Sequence, residues 1–266
     1  MEKNQDQPFE NSTNQLLDMI SAQRARRTML KGAVAGVAAL SALGTNAFVR
    51  SGNVFAHSKP HTSKFQKILD IAVTTERLAV TTYCAGIANA KLLGIKDDDL
   101  LYLEAAIVEE QIHEFFFESL GGVPLTSTFS YPSGATTFTD LTTFINTQQT
   151  LEDSFDSAFL AGVIEVAQAG EFRLAQILAQ IACIEAEHRV LGRVIGCKII
   201  GYQPADNRAY TPVLVKKVEG ALDVLTEAGY LSPTIGNMYT YVPVSTDFPD
   251  IEYRTPYSVG HPNNQL

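Results

Sequence analysis

The sequence predicts an all-α fold: a four-helix bundle of two antiparallel hairpins joined by one long crossover, followed by an extended C-terminal segment. Three observations predict it. From Lys64 onward, apolar residues recur at alternating steps of three and four in four separate stretches, the spacing of one helix face. Glycines stand between the first and second stretches and between the third and fourth, where a hairpin needs a tight turn. The second and third stretches are separated by residues 121–138, a connection carrying Pro124, Pro132 and Gly134 and long enough to run back along a bundle.

The first helix, expected over 63–93, presents Phe65, Leu69, Ala72, Glu76, Ala79, Tyr83, Gly86 and Ala90 on one face. Gly94 stops it, and Asp97 is placed to cap the second helix, over 97–119. That helix reads Leu103, Ala106, Glu110, His113, Phe117 and Leu120, and Gly121-Gly122 ends it. The third, over 139–169, begins near Thr139 or Asp140 and reads Ile145, Gln148, Glu152, Phe155, Phe159, Gly162 and Val166. Ala169-Gly170 turns the chain into the fourth, over 172–199, with Leu174, Leu178, Ile181, Glu185, His188, Gly192 and Ile195 on its seam. Beyond Gly201 the pattern fades. Val213 to Ala228 reads as a short fifth helix stopped by Gly229, and residues 230–266, with five prolines and five tyrosines, read as a tail over part of the bundle. The expected division is a leader over 1–56, the bundle over 57–200 and a C-terminal extension over 201–266.

A formal net charge of −9 without clusters of Lys and Arg argues against a nucleic-acid partner. Cys84, Cys183 and Cys197 form no Cys-x-x-Cys pair and read as small buried apolar residues. The polar start of the chain leads into Ala25-Arg26-Arg27-Thr28-Met29-Leu30-Lys31, which resembles the twin-arginine export signature. A weakly apolar run from Gly32 to Val49 follows, with small-x-Ala sites ending at Ala47 and Ala56. Recognition by the twin-arginine machinery, cleavage and an extracytoplasmic or cell-surface location are the expectation. A membrane anchor at 32–49 is the alternative, marginal because the run contains Ser41, Thr45 and Asn46.

Each seam buries a carboxylate where a leucine is expected: Glu76, Glu110, Glu152 and Glu185. A buried carboxylate is normally paired or bound to metal, and no Lys or Arg lies on the four seams. Two seams add a histidine three residues on, in Glu110-Gln111-Ile112-His113 and Glu185-Ala186-Glu187-His188, so each Glu–His pair shares a helix face. Across an antiparallel turn, residues equidistant from its centre are level. Glu76 and His113 are equidistant from position 94.5, beside Gly94; Glu152 and His188 are equidistant from Gly170. Glu76 and Glu110 are 34 residues apart and Glu152 and Glu185 are 33 apart, which looks like an internal duplication. The competing reading is a solvated charged face. Glu165 has its level partner far from His188, and Glu104, Glu109, Glu114, Glu118, Glu171 and Glu187 fall off the seams, where solvation is expected.

The arrangement resembles the ferritin-like superfamily over roughly residues 60–200. Around Glu152, Phe155, Phe159 and the stretch Ala182 to Arg189 it looks like the secreted bacterial ferritin-like proteins related to desiccation-associated proteins. The long tail after 201 and a phenylalanine at 159 depart from that pattern. The resemblance implies a two-metal centre with Glu76, Glu110, His113, Glu152, Glu185 and His188 as ligands, and Glu110 and Glu185 as bridges. Four carboxylates and two imidazoles suit iron, with manganese as the alternative. The implied partners are metal ions with dioxygen or peroxide, and a homo-oligomer is compatible with the family. As an enzyme it would be a ferroxidase, oxidase or catalase-like oxidoreductase. The alternative is a stress-protective protein in which metals staple the bundle with little turnover. Tyr83, two turns from Glu76, reads either as a core aromatic or as an outer-sphere partner of the metals.

Overall fold

A computed structural model describes residues 63–201, 209–249 and 251–256. The leader expected over 1–56 lies outside these residues, as do the expected export signal and its alternative, the anchor at 32–49. The described residues are mostly helical, with two short strands. Four long helices dominate: α1 (Ser63–Ala88), α3 (Asp97–Ser119), α4 (Leu141–Gln168) and α5 (Phe172–Ile200), with a single-turn α2 (Ala90–Leu93) and a short α6 (Gly220–Glu227). No helix among them is long and apolar enough to cross a membrane.

The two hairpins form as their turns predict. Gly94 (φ 74°) and Gly170 (φ 85°) both take left-handed backbone that other residues adopt only with strain. Contacts across each hairpin run antiparallel: Arg77 meets Glu114 and Glu118 between α1 and α3, and Gln149 and Asp153 meet the backbone and side chain of Arg189 between α4 and α5. Between hairpins, α1 faces α4, with Tyr83 reaching Gln148 and Glu152, and α5 faces α3, with His188 reaching Glu109 and Lys198 reaching Asp99. Leu69, Leu78, Leu103, Phe117, Ile145 and Leu178, all on the predicted faces or beside them, are buried in one apolar core.

Several local expectations need correction. The first helix is not continuous to residue 93. The helix breaks at Asn89, whose backbone N–H is shared between the Ala85 and Gly86 carbonyls at 3.2 Å each and whose side-chain amide also donates to Ala85. Asp97 does not cap α3 but is its first residue; Asp97, Asp98 and Asp99 together place negative charge on the positive end of the helix dipole. Asp140 does cap α4, accepting from the Thr143 N–H at 2.8 Å. The fifth helix begins at Gly220, not Val213. The three cysteines are exposed, because their positions fall on the solvent side of α1 and α5.

The crossover is more ordered than a loop. Its strand β1 (Thr128–Phe129) pairs antiparallel with β2 (Tyr239–Thr240) of the tail, Thr128 opposite Thr240 and Phe129 opposite Tyr239. A 3₁₀ turn follows at Gly134–Phe138. Tyr131 packs edge-on against Phe138 and Tyr239, with centroids 4.7 and 4.8 Å apart, and its hydroxyl meets Thr82 of α1 at 2.9 Å. The tail therefore joins the helices through the crossover.

Candidate metal centre

The four seams bring all six predicted ligands together. Glu76 of α1, Glu110 of α3, Glu152 of α4 and Glu185 of α5 are at most 2% exposed, as is His188, and the His113 side chain is 12% exposed. Their ligand atoms form two overlapping groups, each within 4.8 Å and each able to hold a metal ion: Glu76, Glu110, His113 and Glu185, and Glu110, Glu152, Glu185 and His188. Glu110 and Glu185 belong to both. Each divides its oxygens between the two histidines. Glu110 puts Oε2 3.7 Å from His113 Nδ1 and Oε1 2.9 Å from His188 Nδ1; Glu185 puts Oε1 and Oε2 3.6 Å from the same two atoms.

The donor set fits a cation. Eight buried atoms of these six side chains have no hydrogen-bond partner: Oε1 of Glu76, both oxygens of Glu110 and of Glu185, Oε2 of Glu152, and Nδ1 of each histidine. Leaving so many buried acceptors unsatisfied would cost about 1–3 kcal/mol each, more for charged groups. Even the 2.9 Å approach of His188 to Glu110 lacks the alignment of a hydrogen bond. Neighbouring donors around an ion at roughly 2.1 Å would lie about 3.0–3.4 Å apart, close to the 2.9–3.7 Å separations found here.

A second layer of contacts orients the donors. The Tyr83 hydroxyl donates to Glu152 Oε1, leaving Oε2 directed at the cluster. Gln148 in turn donates to Tyr83 Oη at 3.1 Å and to the His188 carbonyl at 2.7 Å. It can lie across α5 because residue 192 is glycine: a Cβ there would come within 2.0 Å of Gln148 Oε1. His188 Nε2 stands 2.8 Å from Glu109, so the ring proton belongs on Nε2 and the Nδ1 lone pair faces the cluster. Tyr83 is thus a buried core aromatic whose hydroxyl is bonded to one of the six clustered side chains.

Glu109 and Glu114 correct the expectation that acids off the seams are solvated. Glu109 is the acceptor of His188, and Glu114 is wholly buried against Arg77 at 2.7 Å. Glu118 is half-buried and meets the same guanidinium at 2.8 Å. Glu165 is also buried, but it accepts the Val218 N–H at 2.8 Å and pairs with Lys64, away from the six ligands. A signal for Glu109 existed, since a ligating histidine needs an acceptor for its second nitrogen. Nothing local selects Glu109 among the acids nearby.

Protons compete for the same atoms. Burial, then the charge of Glu110, pushes the Glu76 carboxyl well up; burial, then the charge of Glu185, does the same to Glu152. Burial would lower both imidazoles, but the carboxylates around His113, and Tyr83, Glu110 and Glu109 around His188, hold them well above the usual value. Glu110 runs the other way: burial alone would raise it, and the charge of His188 with contacts from both histidines outweighs that and lowers it. Asp156, four residues from Glu152, is pushed up to about 7 by burial and then by Glu185. In the ion-free protein the raised groups hold protons more tightly folded than unfolded, so stability falls as pH climbs through their folded values. A metal must displace those protons. Its apparent affinity should therefore rise with pH from the ordinary carboxylate range up through that of histidine, by roughly tenfold per unit for each proton released. Competition titrations with a chelator of known pH dependence check this; affinity flat across that interval would contradict it.

Compared with protein-family models, curated proteins and solved structures, the chain matches none.

Proposed function

We propose that the chain is a ferritin-like four-helix bundle whose six seam residues hold a two-metal centre for iron, with manganese as the alternative occupant. The observation that carries this reading is the pair of overlapping donor groups sharing Glu110 and Glu185, each with one oxygen toward either histidine. Glu76 and His113 would help hold one ion and Glu152 and His188 the other, with Glu110 and Glu185 available to both. Bound ions would supply one-electron chemistry toward dioxygen or peroxide, with iron(II) oxidation its simplest form.

The chain's own residues set the conditions. Burial of the six donors excludes bulk water and strengthens their hold on a cation. Glu109 fixes the tautomer of His188, and Tyr83 fixes one oxygen of Glu152. Tyr83 is held as a neutral phenol, its acidity suppressed first by burial and then by the Glu152 charge. It stands within a hydrogen bond of Glu152, holding a proton beside the cluster. Export through the twin-arginine route, which carries folded proteins, would deliver the centre already loaded.

A second reading draws on one observation: the six donors come from all four long helices, so bound ions would also staple the two hairpins. In that reading the protein is stress-protective, with little turnover. Metal counting combined with oxygen- and peroxide-electrode measurements after iron(II) addition separates the two. The parent should bind close to two ions per chain and consume the oxidant, His188→Ala should fall to about one ion and lose oxidant consumption, and Glu165→Gln should change neither. Full metal content without oxidant consumption would leave the stapling role alone, and unchanged metal content in His188→Ala would refute the centre.

A further inference from the structure

The metal ligands are not equally enclosed. His113 keeps 12% of its side chain exposed and Glu109, the partner of His188, keeps 32%, while the other five ligands are nearly sealed. Both residues line a cavity of about 320 Å³ between α3 and α5. Its walls are apolar, built by Ile112, Phe116, Ile181 and Ile184. The tail segment 251–256 closes another side. Arg254 there donates to the carbonyl oxygens of Thr246, Phe248 and Ile251, folding the segment on itself and engaging its own charge.

We infer that this cavity is a binding site for a small neutral organic molecule with an apolar body and one hydrogen-bond donor, such as an aromatic or aliphatic alcohol. The volume lies at the small end of ligand pockets, roughly 300–1,000 Å³, and its lining is mainly apolar with few polar groups, as in such sites. The donor is called for by Gln180, a lining residue whose buried Oε1 has no hydrogen-bond partner. A charged ligand fits poorly. An anion would face Glu109 and Glu252, and the carboxylate of Glu109 is already engaged by His188. That the molecule meets the metal ions rests on the two-metal reading, since His113 is shared by the cavity and one donor group.

Fluorescence titration of the full chain with 1-naphthol and with naphthalene tests the site. Naphthol should bind saturably at one per chain, roughly three- to tenfold more tightly than naphthalene, the worth of one hydrogen bond. Gln180→Leu should erase that preference while keeping the fold, and Ile184→Trp should block both probes by filling the cavity. Absence of saturable binding, or a naphthol preference undiminished in Gln180→Leu, overturns the inference. Two further measurements keep the readings apart. His188→Ala should lose about half its metal yet retain naphthol, because His188 does not line the cavity. In manganese(II)-loaded parent the resonances of bound naphthol should broaden relative to the zinc-loaded form; equal widths would place the ligand away from the metals even where binding and loading both succeed.

Discussion

Glu185→Gln is expected to empty the whole centre, whereas Glu76→Gln and Glu152→Gln should each weaken mainly one half of it. Glu185 contributes to both donor groups, Glu76 only to the group with His113 and Glu152 only to the group with His188. A neutral amide keeps the shape but loses the charge that binds a divalent ion. The loss should exceed the roughly 10–100-fold cost typical of changing an outer contact. Metal counts after dialysis should fall from near two per chain to near zero in Glu185→Gln, and to near one in the other variants. Stability should follow metal loading. At metal a hundredfold above its dissociation constant, each filled site adds about 2.7 kcal/mol to the parent and nothing to the variant. Equal metal content in Glu185→Gln and Glu76→Gln would contradict the shared role of Glu185.

Arg77→Ala should cost about 3–5 kcal/mol, because it strands the wholly buried Glu114 carboxylate without its cation. In a domain of this size that corresponds to a melting temperature lower by very roughly 6–20 °C. Arg77 donates to Glu114 at 2.7 Å, to Ser127 of the crossover at 2.6 Å and to Glu118 at 2.8 Å, and lies 4.5 Å over the ring of Tyr241 from the tail. Tyr241 also bonds Glu114, and the Val244 N–H donates to Gln111 at 2.8 Å. These residues alternate along α1 and α3 with Glu76, Glu110 and His113, so the network locks the two helices directly behind the ligands. Burial, partly offset by Tyr241 and Arg77, already raises the Glu114 carboxyl. Adding Glu114→Gln to Arg77→Ala should recover part of the loss by removing the stranded charge, and the tail should become the first site of limited proteolysis in the single variant. Urea unfolding that shows less than about 1 kcal/mol lost would contradict this account.

The helices and hairpin turns were legible because their signals are local. A 3.6-residue period, a glycine stop and an equidistance rule need no knowledge of the rest of the chain. The break at Asn89 was missed because the apolar pattern runs through it unbroken, and only the hydrogen bonds around Asn89 itself mark it. The cysteines were misplaced for a related reason: composition says that Cys is often buried, but the face each occupies is set by helix rotation. Glu114 shows the limit from the other side. Its charge argued for solvent, and a guanidinium from the neighbouring helix made burial tolerable.

By itself, then, the sequence determined the six donors of the candidate centre and the level at which they meet, since rise per residue and turn position together set that geometry. Tertiary structure decided what surrounds them. The acceptor for His188 comes from 79 residues away and the tail's hold on Gln111 from 130 or more, distances over which no periodicity carries information. Which off-seam acid is buried, which face of the centre opens onto a cavity and what covers that cavity all depend on how α3, α5 and the tail pack. Packing is settled by the whole core and not by any one segment of it.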